Sequence, residues 1–184
     1  MLSGVMMAAG APPAFAKSWL VDYAKSKLGF VGAQSGVSFQ GSFKSFITDI
    51  KFDPAHPETG SITATIEIGS ATAGNPERDG YLPQPDWFDA KNFPTAQFVS
   101  TVIRAAGNDK NGATCFEADG NLTIKGITKP VKMPFCLKQE GYAMHAQGRV
   151  KLIRTDFDIG TGQWSDESVV RRGVDVVIDI TATP

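Results

Sequence analysis

From Ser18 onward, apolar and polar residues alternate with a period of two, and Gly, Asn, Asp and Pro repeatedly interrupt the alternation. Successive side chains of a strand point to opposite faces, so this pattern encodes strands with one wet and one dry face. Ile62, Ala64, Ile66 and Ile68 alternate with Thr63, Thr65 and Glu67, and Val174, Val176, Ile178 and Ile180 alternate mainly with Asp175, Asp179 and Thr181. The same reading covers residues 30–43, 47–52, 96–103, 114–124, 128–137 and, less regularly, 142–154, which makes about eight strands in all. No long amphipathic helix separates them, so parallel crossovers are excluded and an antiparallel sandwich or closed barrel is expected. Only residues 75–88 read as helical, a short helix that Pro83 and Pro85 turn into an irregular loop.

A chain of 184 residues with 42% hydrophobic content fits one domain with a substantial core. Lys+Arg of 18 against Asp+Glu of 19 gives a formal net charge of -1, which argues against nucleic acid as a partner. Residues 1–16 are apolar or small and end in Ala14-Phe15-Ala16, the small-x-small pattern of a cleaved secretory leader. The expected mature domain is therefore 17–184, exported to the periplasm, although no Lys or Arg precedes the apolar stretch.

Cys115 and Cys136 flank Lys125-Gly126. If that dipeptide is a two-residue hairpin turn, partner numbers sum to 251, and the two cysteines satisfy that sum. The register then sets Phe116 opposite Phe135, Ala118 opposite Met133 and Gly120 opposite Val131 on a dry face, with the cysteines on the outer one. In an oxidising compartment an external cross-strand disulfide is expected.

Catalytic constellations are sparse. His56 lies in the turn Asp53-Pro54-Ala55-His56-Pro57 and His145 in a strand, with no metal-ligand spacing. There is no Gly-x-Ser-x-Gly elbow and no phosphate-binding Gly loop, so no catalytic residue, metal or cofactor is assigned. Arg78, Asp79, Arg154 and Asp156 are the polar candidates. Each Arg offers a fork to a phosphate or carbonyl head group, or else pairs with a neighbouring carboxylate to tie a loop to a barrel rim. Twelve Phe are spread over nearly every strand and loop. An eight-stranded barrel is just wide enough to be filled by such side chains or to hold one small ligand, and these two readings stand side by side. Few polar groups fall on inward faces, so any ligand is expected to be an oily body held by area burial.

Several motifs in order resemble the YceI-like family of periplasmic lipid-binding proteins. They are Trp19-Leu20-Val21-Asp22 with Ser26-Lys27-Leu28-Gly29-Phe30, then Gly41-Ser42-Phe43-Lys44-Ser45-Phe46, and Glu77-Arg78-Asp79-Gly80-Tyr81-Leu82 with Asp86-Trp87-Phe88-Asp89-Ala90. Phe93-Pro94, Phe98-Val99-Ser100-Thr101, the run from Gly120 to Val131 and Arg154-Thr155-Asp156-Phe157 complete the set. The His that often precedes Ser26 in that family is absent, so no role is transferred to it. The resemblance implies an all-β, eight-stranded antiparallel lipocalin-like barrel with one short helix, enclosing a tunnel for a polyisoprenoid or quinone. It implies binding, transport or storage without catalysis, with Phe30, Phe43, Phe98 and Leu122 lining the tunnel. Phe39, Ile66, Leu82, Trp87, Phe88 and Phe157 complete the expected ligand contacts, and ordinary core packing is the competing role for every Phe. Arg78, Asp79, Arg154 and Asp156 are the expected rim. A membrane cytochrome and a second copy of the chain are the partners the family suggests, and a solid-cored scaffold acting through such partners is the alternative function.

Overall fold

The computed structural model describes residues 16–184; the expected leader lies outside the described residues, Ala16 excepted. The strands are β1 (Lys17–Val21), β2 (Lys27–Gln34), β3 (Val37–Phe43), β4 (Phe46–Phe52), β5 (Ser61–Glu67), β6 (Ala71–Thr72), β7 (Thr95–Asn108), β8 (Thr114–Ile124), β9 (Ile127–Glu140), β10 (Ala143–Ile153) and β11 (Gly173–Thr183). One α-helix, α1 (Pro76–Tyr81), lies between β6 and β7. Asn75 caps it by accepting hydrogen bonds from Glu77 N and Arg78 N, Pro76 opens it without needing a donor, and Pro83 stops it.

These eleven segments form eight staves, all antiparallel and joined in sequence order. β1 with β2, β3 with β4, and β5 with β6 are single staves broken in the middle. β1 pairs with β4 and β11, β2 with β3 and β11, β4 with β5, and β3 with β6. The ring closes where β1 and β2 meet β11, which abolishes the sheet edge. Side-chain hydroxyls fill the ladder gaps at the breaks. Ser26 Oγ accepts from Thr181 N at 3.0 Å, and Ser70 Oγ accepts from Ser45 N at 3.0 Å.

The expected continuous strand over residues 30–43 is in fact the β2–β3 hairpin. Ser35 and Gly36 both have positive φ, the two-residue turn that matches strand twist. Lys125 and Gly126 make the same turn between β8 and β9. The predicted register holds along that pair: Cys115 faces Cys136, Phe116 faces Phe135 and Ala118 faces Met133, and the cysteines are joined by a disulfide.

One end of the barrel is solid. Phe52, Phe116 and Phe135 meet with ring centroids 5.0, 6.0 and 5.6 Å apart, and Ile103 (0% exposed) and Leu137 complete the plug. The opposite end is covered by the β2–β3 hairpin, α1, the loop 83–94 and the loop 154–172. Lys125 Nζ donates to Pro85 O at 2.7 Å and to Asp158 O at 2.8 Å, and Gly160 N donates to Asp86 O at 2.8 Å, so the two loops are tied to each other and to the β8–β9 turn.

Candidate functional site: a two-chamber apolar tunnel

Between plug and loops the barrel is hollow. Leu28, Ile50, Ile62, Val131 and Ile178 point inward yet are only half-buried, because the surface they expose is that of the cavity itself. Protein interiors are normally packed with few voids larger than a water molecule, so a row of uncovered inward hydrocarbons marks space for something else.

The hollow has two parts. An inner chamber of about 210 Å³ rests on the aromatic plug and is walled by β1, β4, β5 and β7–β11. Its lining is apolar throughout except for Thr48, whose hydroxyl is buried without a partner. A mouth chamber of about 180 Å³ lies under α1 and the two loops, walled on one side by β2 and β3. The broken staves thus largely divide the chambers: β1, β4 and β5 face the inner one, while β2 and β3 face mainly the mouth, with Leu28 of β2 in the inner chamber and Phe43 of β3 on both. Phe43, Phe88, Ile124, Leu152 and Val176 border both chambers, and Phe43 meets Phe88 edge to face at 6.1 Å.

All ten expected ligand contacts sit on these walls. Ile66, Phe98 and Leu122 face the inner chamber; Phe30, Phe39, Leu82, Trp87 and Phe157 face the mouth; Phe43 and Phe88 face both. Glycines on neighbouring strands make room for the rings. A Cβ on Gly41 would lie 2.1 Å from the Phe30 ring, and one on Gly120 would lie 2.6 Å from the Phe98 ring. Val176, Ile178, Leu152 and Ile124 also line the chambers; the alternation along β11 marks the first two as inward-facing, and nothing in the sequence marks any of the four as lining. Trp164, whose ring meets those of Tyr81 at 4.9 Å and Trp87 at 5.7 Å in tilted contacts, sits in a non-periodic loop with no signal to find it.

The four polar candidates separate sharply. Arg154 is 4% exposed and is not a rim cation; it pairs with no carboxylate among the described residues. Its five donors are all taken by carbonyls: Nε by Arg171 O (3.2 Å), Nη1 by Ile159 O (2.7 Å) and Gly160 O (2.6 Å), Nη2 by Trp164 O (2.5 Å) and Val170 O (2.7 Å). Desolvation, and secondarily the nearby Arg172, lower its pKa. Asp79 turns away from the cavity to accept from Ala73 N (2.5 Å) and Thr72 Oγ1 (2.7 Å), and those bonds hold its carboxyl below the usual range. Asp156 is exposed and touches neither chamber. Arg78 alone faces the mouth chamber with donors to spare. It reaches Gln34 Oε1 at 3.5 Å and Ala73 O at 3.4 Å, both at the limit of hydrogen bonding, and its Nε has no partner. Its guanidinium lies 4.6 Å over the Phe39 ring. Trp87 Nε1 is likewise buried and unpaired beside the same chamber. Among the described residues no group of three or more His, Cys, Asp and Glu is placed to hold a metal.

Residues 19–182 match the YceI-like domain family. A UPF0312 protein of Pseudomonas fluorescens is 31% identical over 165 residues, covering 86% of this chain and 78% of its own. Protein YceI of Salmonella arizonae is 31% identical over 129 residues, 66% of this chain and 63% of its own. Among solved structures, Burkholderia cenocepacia BcnA superposes with a TM-score of 0.80 at 37% identity, over 89% of this chain and 99% of that one. A domain of Saccharophagus degradans described as polyisoprenoid-binding shares the fold at a TM-score of 0.68 and 14% identity, over 90% of this chain and 97% of that one.

Proposed function

Because the chain belongs to the YceI-like family, we propose that it binds one isoprenoid lipid or quinone in the tunnel, without transforming it, and carries or stores it in the periplasm. The observation that carries this reading is the row of inward, uncovered hydrocarbon side chains running from the plug to the mouth. Covering apolar surface is worth about 25 cal/mol per Å², and an oily chain does so without stranding polar groups of its own in an inner chamber that is apolar apart from the Thr48 hydroxyl. A polar ligand there would leave its own groups unpaired.

The hollow interior favours a carrier over a solid-cored scaffold. The description of the S. degradans domain supports the same ligand class. Export rests on the leader-like residues 1–16 and on the disulfide between Cys115 and Cys136, a bond that persists in oxidising compartments. The test is organic extraction of protein purified from its native host, followed by mass spectrometry. A prenyl lipid near one equivalent is expected, with thermal stabilisation of the emptied protein when the lipid returns. Repeated preparations that yield no lipid and no shift with prenyl alcohols or quinones would sink the reading.

A further inference from the structure

The barrel wall has one weak seam. Between β11 and the β1–β2 stave, Asp22 N donates to Thr181 O and Ser26 Oγ accepts from Thr181 N; between the β3–β4 and β5–β6 staves, Ser70 Oγ accepts from Ser45 N. The seam between the β1–β2 and β3–β4 staves has no such repair. Strand pairing across it ends at Trp19 with Ile50 and resumes at Leu28 with Phe43, so residues 20–27 and 44–49 carry no ladder between them. Among the described residues, the one side-chain hydrogen bond across this gap runs from the Thr48 amide to the Tyr23 hydroxyl, at 3.1 Å. The Tyr23 ring meets Phe46 edge to face at 5.5 Å. Directly behind lies the inner chamber, because Trp19 and Leu28 on one side of the seam and Phe46, Thr48 and Ile50 on the other all line it. In front, Leu20 (73% exposed), Ile47 (65%) and Tyr23 (45%) are three of the eight large hydrophobic side chains exposed among the described residues.

We propose that this seam is a side gate, latched by Tyr23, through which an isoprenoid chain enters and leaves the inner chamber. The proposal rests on the isoprenoid-binding reading and adds the route to it. Opening here breaks one side-chain hydrogen bond and one ring contact, while both staves keep the ladders to their other neighbours. It also gives water to the Thr48 hydroxyl, which has no partner when the gate is shut. Leu20 and Ile47 offer a passing chain an apolar surface on either side of the gap. The mouth yields less readily. Lys125 ties its two loops to the β8–β9 turn, and the five hydrogen bonds of Arg154 hold the loop 154–172 from within.

Tyr23 lines neither chamber, so as a latch it sets the rates of exchange and not the affinity. The test mixes the delipidated full chain with geranylgeraniol, a C20 prenyl alcohol, in a stopped-flow instrument and follows tryptophan fluorescence, Trp19 being part of the inner wall. Tyr23→Phe removes the acceptor and keeps the ring. It is expected to raise the association and dissociation rates together by about fivefold, the worth of one hydrogen bond, with Kd unchanged within about twofold. Tyr23→Ala, which also releases Phe46, should raise both rates further. Lys125→Met loosens the ties over the mouth and should leave both rates within about twofold of the wild type. Retained affinity reports that the variants are folded. Rates unmoved in both Tyr23 variants, equal acceleration by Lys125→Met, or a change in Kd carried by dissociation alone would overturn the gate and leave tail binding standing. Failure of geranylgeraniol to bind the wild type would overturn the isoprenoid reading itself, and the gate with it.

Discussion

Arg154 holds its guanidinium in a loop interior with five carbonyl oxygens around it, and removing that group strands acceptors that no other side chain reaches. Each buried polar group left unpaired costs roughly 1–3 kcal/mol. Arg154→Met is therefore expected to lower unfolding free energy by at least about 3 kcal/mol, read as a shift of the denaturant midpoint. Arg154→Lys recovers only part of it, because a compact ammonium has three donors and no fork. A midpoint unchanged in Arg154→Met would show that the loop 154–172 is not organised by this residue. From the sequence, Arg154 and Arg78 looked alike: each stands near an Asp in a non-periodic stretch. What separates them is the set of backbone carbonyls at 159, 160, 164, 170 and 171, which carries no residue signature. Charge at a position is legible in a sequence; whether its donors are already spent is not.

The β8–β9 hairpin was legible because its information is local. A Gly at the turn, two cysteines and two aromatic partners all satisfy one pairing sum, and the structure has that register throughout. The broken staves were not, since alternation continues on both sides of a break and the repairs are made by Ser26 and Ser70 acting on distant strands. The β2–β3 turn hides within an apparently continuous stretch of alternation, although Ser35-Gly36 is a two-residue turn of the same kind as Lys125-Gly126. The disulfide gives the hairpin a prediction of its own. It closes a separation of 21 residues, for which the chain-entropy account allows up to about 3 kcal/mol. Because the sulfurs lie outside the wall, Cys115→Ser with Cys136→Ser should lower the melting temperature while leaving geranylgeraniol affinity within about twofold. A large loss of affinity at unchanged stability would mean that the bond shapes the tunnel.

At the scale of the whole barrel, hollow and filled interiors differ only in the balance between the volume the staves enclose and the volume their side chains occupy. No local pattern holds that sum, so the aromatic residues were readable as inward-facing but not as lining. The enclosed space works as one site only if the chambers communicate past Phe43, Phe88, Ile124, Leu152 and Val176. Val176, on β11 opposite Phe30 and Val150, projects into that junction. Val176→Trp should plug it, at an overpacking cost of about 1–3 kcal/mol that a melting curve will show. A C10 prenyl alcohol, short enough to use one chamber, should lose no more than about threefold in affinity, whereas C20 and longer chains should lose tenfold or more, since each uncovered CH₂ forfeits about 0.8 kcal/mol. Ile124→Trp narrows the same ring from β8 and should reproduce the length dependence. Affinities measured by displacement of a fluorescent fatty probe decide the matter. A loss that is uniform across chain lengths would reflect general distortion of the barrel, and an unchanged C20 affinity in both variants would mean that the ligand never crosses from one chamber to the other.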